Sequence, residues 1–329
     1  MNDRLLLLLL ALLTGLLFLG SLMTGPAGLD LATSLSGLFG GGSEAARLVM
    51  QEIRFPRALL GAMVGATLGL SGAVLQGYLR NPLADPGVLG ISGSASLGAV
   101  VAIYSGLSAM LVAALPLMAI TGAILAVTLL QALAGRTPSV LALILAGVAI
   151  SSLAAALTAL ALNLSSNPFA SLEILYWMLG SLTDRSMVHV WLAAPFMVAG
   201  GVMLASLGRG LDALTLGPDV AASMGIPIAR VQRLMVFGTA LSVGAATAVS
   251  GAIGFIGLVV PHLLRPLVGN RPSRLMLTSA LAGASLLLAA DIAVRLIAPG
   301  RDLKLGVLTA LIGAPFFVWL VVKTRRTLA

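Results

Sequence analysis

Long apolar runs, each about the length of a membrane span, alternate along this chain with short polar segments. This pattern predicts an all-α polytopic membrane protein, a single transmembrane domain over residues 1–329. The first run follows Arg4 like a signal peptide, but its length and the many runs after it favour an uncleaved first helix. About ten spans are predicted, near residues 5–23, 57–78, 87–106, 109–133, 139–162, 188–207, 231–252, 254–268, 275–297 and 305–323.

Three features modify this simple alternation. Residues 25–53 are interpreted as a loop centred on three consecutive glycines. Span two carries a ridge of small residues at four-residue spacing (Gly61, Gly65 and Gly69), which predicts a close helix–helix contact. In the short eighth span, the glycines and Pro261 predict a broken helix.

Composition agrees with the hydropathy pattern. The chain is 59% hydrophobic and only 9% charged, and its mean hydropathy is +1.09. No water-soluble fold of this size hides so much apolar surface. The net charge of +8 is spread over loops rather than gathered in one patch, which argues against a nucleic-acid partner. The absence of cysteine excludes disulfides and thiolate metal sites.

The longest polar interruption of the second half, residues 208–229, predicts two short helices. Gly217 suits an N-cap, Pro218 the first helical position and Asp219 the positive end of the helix dipole. Gly225 suits a left-handed stop, so Pro218–Met224 is predicted as one helix, preceded by a turn near Leu211–Leu216. Such a rigid projection suits a soluble partner, although an ordinary loop is an equal alternative.

Charge sets the predicted orientation. With ten spans both termini share one side, and that side receives twelve of the nineteen Lys and Arg. By the positive-inside rule the termini are predicted to be cytoplasmic. Residues 168–182, which hold an aromatic pair, are then predicted as a short periplasmic helix.

An internal repeat relates spans two and seven. Val64-Gly65-Ala66 and Ser71-Gly72-Ala73-Val74 recur as Val243-Gly244-Ala245 and Ser250-Gly251-Ala252-Ile253. Pro82 and Gly90 recur in the same register as Pro261 and Gly269. Since these spans lie an odd number apart, the copies are inverted, an architecture found in transporters.

Several chemistries are missing. The first eight spans hold no Asp, Glu, Lys or Arg between their ends, which disfavours the alternative of an ion-coupled secondary transporter. There is no G-x-x-x-x-G-K-[ST] loop for ATP. His189 and His262 lack metal-spaced partners and are expected to be structural. No enzyme, metal site or cofactor is therefore predicted.

Several motifs resemble the iron-chelate and vitamin B12 permease family of type II ATP-binding-cassette importers, over nearly the whole chain. The matching stretches are Arg54-Phe55-Pro56-Arg57, Ser71-Gly72-Ala73-Val74-Leu75-Gln76, Asn81-Pro82-Leu83-Ala84-Asp85-Pro86-Gly87, residues 251–262 and residues 313–317. The resemblance implies a homodimer in the bacterial inner membrane, two cytoplasmic ATPase subunits that use ATP, and a periplasmic substrate-binding protein. The cargo is expected to be a metal chelate, with ferric siderophore first and haem or cobalamin next.

The resemblance also assigns candidate residues. Outward arginines that pair with glutamates of the binding protein are Arg54, Arg57 and Arg295, although Asp291 is an intramolecular alternative for Arg295. Contacts to the ATPase are expected from Leu211, Asp212, Leu216, Gly217, Pro218, Asp219, Met224 and Gly225. The chain departs from the family at Asp302-Leu303-Lys304-Leu305-Gly306, where lysine replaces the usual proline. For the pathway lining, the small polar residues of span five are predicted: Ser151, Ser152, Thr158 and Asn163.

Overall fold

The computed structural model describes residues 3–135, 139–298 and 302–328, which are mostly helical and contain no strand. Arg136 and Arg301, two of the loop charges counted above, lie outside the described residues. The α-helices, in chain order, are α1 (Asp3–Met23), α2 (Leu31–Leu38), α3 (Glu44–Leu48), α4 (Phe55–Tyr78), α5 (Ile91–Tyr104), α6 (Leu107–Met110), α7 (Ala114–Ala134), α8 (Val140–Leu164), α9 (Pro168–Met178), α10 (Met187–Ala205), α11 (Gly208–Leu214), α12 (Pro218–Ser223), α13 (Ile228–Ser250), α14 (Ile256–Leu264), α15 (Pro272–Ile297) and α16 (Leu305–Leu328).

The number of apolar helices agrees with the predicted spans. Seven helices of the described part are long and apolar enough to cross a membrane, and Ile91–Tyr104, Ile256–Val268 and Leu305–Leu320 are shorter apolar helices. Large aliphatic side chains on α1 and α8 are exposed, as lipid-facing positions require. The prediction of an all-α membrane protein with about ten spans is confirmed.

The two ends of the helix bundle are distinguished by their short helices. At one end, called the α12 end, Asp3 of α1 forms an ion pair of 2.6 Å with Arg274 at the start of α15. At the other, the α9 end, the N–H of Gly306 in the first turn of α16 donates to the carbonyl of Gly180 (3.2 Å). Helix α1 therefore starts at the α12 end and α16 runs towards it. Both terminal helices have their outer ends on one side.

The prediction of a loop over residues 25–53 is wrong. The segment forms α2, α3 and a π-helix (Val49–Arg54) that continues directly into α4. Each short helix has an N-cap: Asp30 Oδ1 accepts the N–H of Thr33 (3.3 Å), and Ser43 Oγ accepts that of Ala46 (3.2 Å). These caps satisfy backbone donors that a short helix otherwise leaves open. The capping residues were visible in the sequence but were outweighed by the three glycines between them.

The glycine ridge of α4 packs against α15, as predicted. A Cβ on Gly65 would lie 2.3 Å from the carbonyl oxygen of Gly283, and one on Gly69 would lie 2.0 Å from that of Ser279. Backbone contact of this kind leaves no room for a side chain, so the two helices approach as closely as their main chains allow.

The inverted repeat has a structural counterpart. The 3₁₀-helices Pro86–Leu89 and Arg265–Val268 stand at the spacing that separates the two sequence copies. Each ends at a left-handed glycine, Gly90 (φ 76°) and Gly269 (φ 64°). Helix α4 begins at the α9 end whereas α13 begins at the α12 end, so the copies run in opposite directions, as an inverted repeat requires.

The predicted break in span eight is displaced. Residues 251–255 are non-helical, but α14 continues through Gly257 and Pro261. Proline has no N–H, so the carbonyl of Gly257 loses its helical partner. Gln76 of α4 replaces that partner, because its Nε2 donates to the carbonyls of Gly257 and Leu258 (3.2 Å each). The helix therefore tolerates Pro261 without breaking.

The predicted helix over residues 168–182 is present as α9 but is shorter. It ends at Met178, and Gly180 turns the chain with a φ of +72°. The left-handed glycine explains why the helix stops before residue 182.

Candidate functional site

Helix α11, the first helix of the segment 208–229 that is expected to contact the ATPase, is anchored in the bundle. Leu211 is completely buried. Asp212 accepts two hydrogen bonds from Ser273, one from its backbone N–H (2.9 Å) and one from its hydroxyl (2.6 Å). Ser273 lies in the first turn of α15, where a carboxylate is favoured by the helix dipole. A force applied to α11 is therefore applied to α15 as well.

The second helix, α12, begins as predicted. Gly217 is the N-cap, with φ 109° and ψ 154°, and Pro218 takes the first helical position. Asp219 lies in the first turn. A glycine is suited to this N-cap because a side chain would strain the positive φ.

The end of α12 is a Schellman motif. Gly225 has a φ of +81°, and its N–H donates to the carbonyl of Ala222 (2.9 Å). The N–H of Ile226 donates to the carbonyl of Ala221 (3.0 Å). The predicted left-handed stop at Gly225 is present, and the helix ends at Ser223, one residue earlier than predicted.

Three large apolar side chains of this segment are exposed. Leu216, Val220 and Met224 are 62%, 44% and 59% exposed, whereas Ala221 is the only buried residue of α12. We call these three side chains the α12 knob. Val220 lies on α12 and Met224 at its C-cap, while Leu216 precedes the N-cap Gly217. The knob is thus an apolar projection on a rigidly capped helix.

At the α9 end, two of the three predicted docking arginines share one carboxylate. Arg57 of α4 donates to Asp291 of α15 from both Nε (3.0 Å) and Nη2 (2.8 Å). Arg295 forms an ion pair with the other oxygen of Asp291 (2.7 Å). It also donates to the hydroxyl of Ser21 in α1 and to the carbonyl of Thr24, the residue that follows α1. The intramolecular pair considered for Arg295 is therefore present, and it includes Arg57.

The third arginine, Arg54, lies deeper. Its side chain is 4% exposed, and its Nη1 donates to the carbonyls of Leu22 (3.0 Å) and Met23 (3.3 Å). Its Nη2 is buried without a partner among the described residues. The three guanidinium groups and Asp291, called the arginine cluster, carry one negative and three positive charges. Buried charge of this kind needs compensation, so the cluster favours a further anion.

A cavity of about 490 Å³ opens beside the cluster. Arg57 and Arg295 line it with Thr24, Thr183 and Asp302. Gly25 also lines it, and a Cβ there would lie 3.1 Å from Arg54 Nε, so the Arg54 guanidinium lies directly behind this wall. The cavity gives a carboxylate from outside a route to the arginines.

The departure from the family motif lies at the rim of this cavity. Lys304 forms an ion pair with Asp302, and its Nζ lies 5.3 Å from the ring centroid of Tyr176. The lysine therefore has two partners of its own, a carboxylate and an aromatic face. It neutralises Asp302, which otherwise faces the arginine cluster.

The four predicted pathway residues do not share one face of α8. Thr158 is buried, and Ser151 is half-buried with its hydroxyl donating to the carbonyl of Gly87 (3.4 Å). Ser152 and Asn163 are exposed. Only the second pair is exposed, so the four residues do not form one lining surface within this chain.

The described residues contain no group of three or more His, Asp or Glu that is able to hold a metal ion. His189 lies in a capping box at the start of α10, where its Nδ1 accepts the N–H of Ser186 (3.2 Å). That structural role was expected for it.

Sequence reasoning missed the partners that lie far apart in the chain. The pairing of Arg295 with Asp291 was visible as an i, i+4 spacing, but nothing in the local sequence pointed from Arg57 to Asp291. The contact of Asp212 with Ser273 was equally invisible. These contacts depend on how α4, α11 and α15 pack.

Comparison with known proteins places this geometry in a family. The model of the FecCD transport family matches residues 10–323. The vitamin B12 import system permease protein BtuC of Klebsiella pneumoniae is 41% identical over 285 residues, which are 86% of this chain and 85% of the relative. The uncharacterized ABC transporter permease protein YvrB of Bacillus subtilis is 38% identical over 283 residues, covering 84% and 80%.

Solved structures lead to the same family as the sequence comparisons. A metal-chelate type ABC transporter in an inward-facing conformation aligns with a TM-score of 0.86 and 31% identity, over 96% of this chain and 98% of that one. PsaBC from Streptococcus pneumoniae shares the fold alone, with a TM-score of 0.54 and 18% identity over 88% of this chain and 94% of that one. The chain therefore belongs to the FecCD transport family.

Proposed function

We propose that this chain is the membrane-spanning permease subunit of an ATP-driven importer that moves a metal chelate from the periplasm to the cytoplasm. The observation that carries the proposal is the α12 knob, an apolar projection whose base is fixed to α15 by Asp212. A chain without its own phosphate-binding loop needs such a surface to receive work from a separate ATPase. Membership of the FecCD transport family supports the same assignment.

The partners follow from the two ends of the bundle. Two cytoplasmic ATPase subunits, which bind and hydrolyse the ATP, contact the α12 end. A periplasmic substrate-binding protein docks at the α9 end, where Arg54, Arg57 and Arg295 offer excess positive charge to its carboxylates. Two copies of the chain form the permease, in a bacterial inner membrane with both termini cytoplasmic. The chain itself binds no cofactor.

The cargo class is a bulky metal chelate. Several relatives that are about two-fifths identical are named as vitamin B12 or cobalamin permeases, which makes cobalamin the first cargo to test. Ferric siderophore, the expectation from the family as a whole, is the second, and haem the third. On α8, Ser152 and Asn163 are the pathway residues with direct access to cargo, while Ser151 and Thr158 act through packing.

The test is uptake into liposomes that contain this chain, its ATPase and internal ATP. The binding protein is loaded in turn with cobalamin, a ferric siderophore and haem. We expect uptake of one cargo that stops when ATP is omitted or when the ATPase is inactivated. Uptake that ignores ATP and follows a proton or sodium gradient would contradict the proposal and favour a secondary transporter.

A further inference from the structure

A second cavity of about 490 Å³ lies at the α12 end and shares no lining residue with the α12 knob or with the cavity beside the arginine cluster. It is formed where α7 ends and where α8 and α13 begin. Its walls include Gln131, Gly135, Leu143, Gln232 and Arg233. A volume of this size is within the range of about 300–1,000 Å³ that is usual for small-ligand sites.

Two side chains in this cavity have donors without partners among the described residues. Arg233 uses its Nε for the carbonyl of Ala229 (3.3 Å), which leaves its two terminal nitrogens without an acceptor among the described residues. Gln131 Nε2 is buried and has no partner in the described part of the chain. A buried donor without a partner lowers the stability of the fold. The unpaired Gln131 Nε2 beside the cation of Arg233 therefore points to an acceptor that comes from outside the chain.

The remaining walls favour a negative ligand with an apolar attachment. Among the described residues, no Asp or Glu lines the cavity. The 25-residue helix α8 begins beside it, and the positive end of a helix dipole favours anions. Leu143, Val236 and Ala132 supply an aliphatic wall where the cavity meets the transmembrane helices.

We propose that this cavity binds the phosphate of an anionic phospholipid, with Arg233 and Gln131 as the donors. Arg233 pairs with the phosphate oxygens and Gln131 Nε2 donates to one of them, while the acyl chains lie along the bundle surface. An arginine is well suited to such an oxyanion because its donors match the spacing of two phosphate oxygens. The position at the ends of the transmembrane helices is the depth at which a bilayer holds its phosphates.

The test compares lipids of equal chain length on the purified full-length permease. Native mass spectrometry titrations give dissociation constants for short-chain phosphatidylglycerol and phosphatidylcholine. We expect tighter binding of phosphatidylglycerol, and Arg233→Gln to weaken that binding by about tenfold, as expected for one charge-assisted contact. Gln131→Leu is expected to weaken it too, while raising the unfolding temperature without lipid, because it removes an unpaired buried donor.

The matched control is Arg230→Gln. Like Arg233, Arg230 is exposed on α13, but it lies in the first turn and does not line the cavity. Equal losses in Arg230→Gln and Arg233→Gln would overturn the site in favour of general surface charge. Displacement of the lipid by inorganic phosphate at equal concentration would overturn a lipid ligand in favour of a soluble anion. Protection of Arg233 from arginine-modifying reagents by the ATPase alone, and not by phosphatidylglycerol, would overturn it in favour of a protein contact.

Discussion

Asp291 on α15 and Arg57 on α4 form a bidentate ion pair across the most extensive helix contact of the fold, with Arg57 Nη2 2.8 Å from Asp291 Oδ1. The side chain of Asp291 is 1% exposed, and its second oxygen holds Arg295. One carboxylate thus fixes both arginines that line the cavity at the α9 end. The arginines are held in place by the chain itself, which in the proposed docking lowers the cost of ordering them.

Replacing the buried Asp291 by asparagine is expected to destabilise the chain by about 3–5 kcal/mol, because it leaves two half-buried arginines without their counterion. The measurement is the free energy of unfolding in mixed detergent micelles. Asp302→Asn is the control, since the carboxylate of Asp302 is 56% exposed and its pair with Lys304 is expected to contribute at most about 1 kcal/mol. Equal effects of the two variants would show that the Asp291 pair is no stronger than a surface pair.

The docking proposal predicts a separate effect of Arg57. Arg57→Gln leaves Asp291 paired with Arg295, so the fold is expected to persist. Affinity for the binding protein is expected to fall by tenfold or more, as is usual when one member of a close charge pair across an interface is removed. Surface plasmon resonance on the permease in nanodiscs measures this. Arg47→Gln is the control, since it removes an exposed charge on α3 outside the cluster and should change the affinity little. An affinity that is unchanged in both variants would mean that the arginine cluster has a purely structural role.

The end of α12 allows a test of coupling that leaves packing untouched. Gly225 has a φ of +81°, and a Cβ there would meet nothing within 4 Å. Valine at this position therefore costs only backbone strain, about 1–2 kcal/mol, which is expected to displace the α12 knob and weaken ATPase binding. Gly225→Asn is the matched control, because asparagine tolerates the left-handed region far better. Normal ATPase binding by the valine variant would contradict a rigid helix end.

Local signals were read correctly from the sequence, and distant contacts were not. Gly217, Pro218 and Gly225 determine their own short helix, and the spacing of Gly65 and Gly69 indicates a close contact without identifying α15 as the partner. Asp291 lies far along the chain from Arg57, so no local pattern connects them. The helices at residues 31–48 were missed because hydropathy dominates such an apolar chain, while short capped helices depend on single polar residues.

Glycines along the bundle predict a graded series of alanine substitutions. A Cβ on Gly69 would lie 2.0 Å from a backbone oxygen, so Gly69→Ala is expected to separate α4 from α15 and to cost about 1–3 kcal/mol or more. On Gly61 the nearest atom, at 3.2 Å, is the flexible end of Leu288, and the cost should be small. Gly15 has nothing within 4 Å, so Gly15→Ala should be neutral or stabilise by up to about 1 kcal/mol. Unfolding temperatures in detergent that did not follow this order would contradict the close contact of α4 with α15.

Asp85, in the loop before the first 3₁₀-helix, predicts a dependence of stability on pH. It is half-buried, and burial raises the pKa of its carboxyl above the usual value, although the N–H of Gly87 opposes this shift (2.8 Å from Oδ1). The folded state therefore holds the proton to a higher pH than the unfolded chain, and stability falls as the pH rises from about 4 through the raised pKa.

Asparagine keeps the acceptor for Gly87 and removes the charge, so Asp85→Asn is expected to unfold at a higher temperature than the parent at pH 7. This advantage should shrink towards pH 4. Asp85→Ala also loses the acceptor for the N–H of Gly87. It should therefore be less stable than Asp85→Asn at every pH, by about 1 kcal/mol in the free energy of unfolding. A gap between parent and Asp85→Asn that stays constant with pH would show that the folded environment does not perturb this carboxyl.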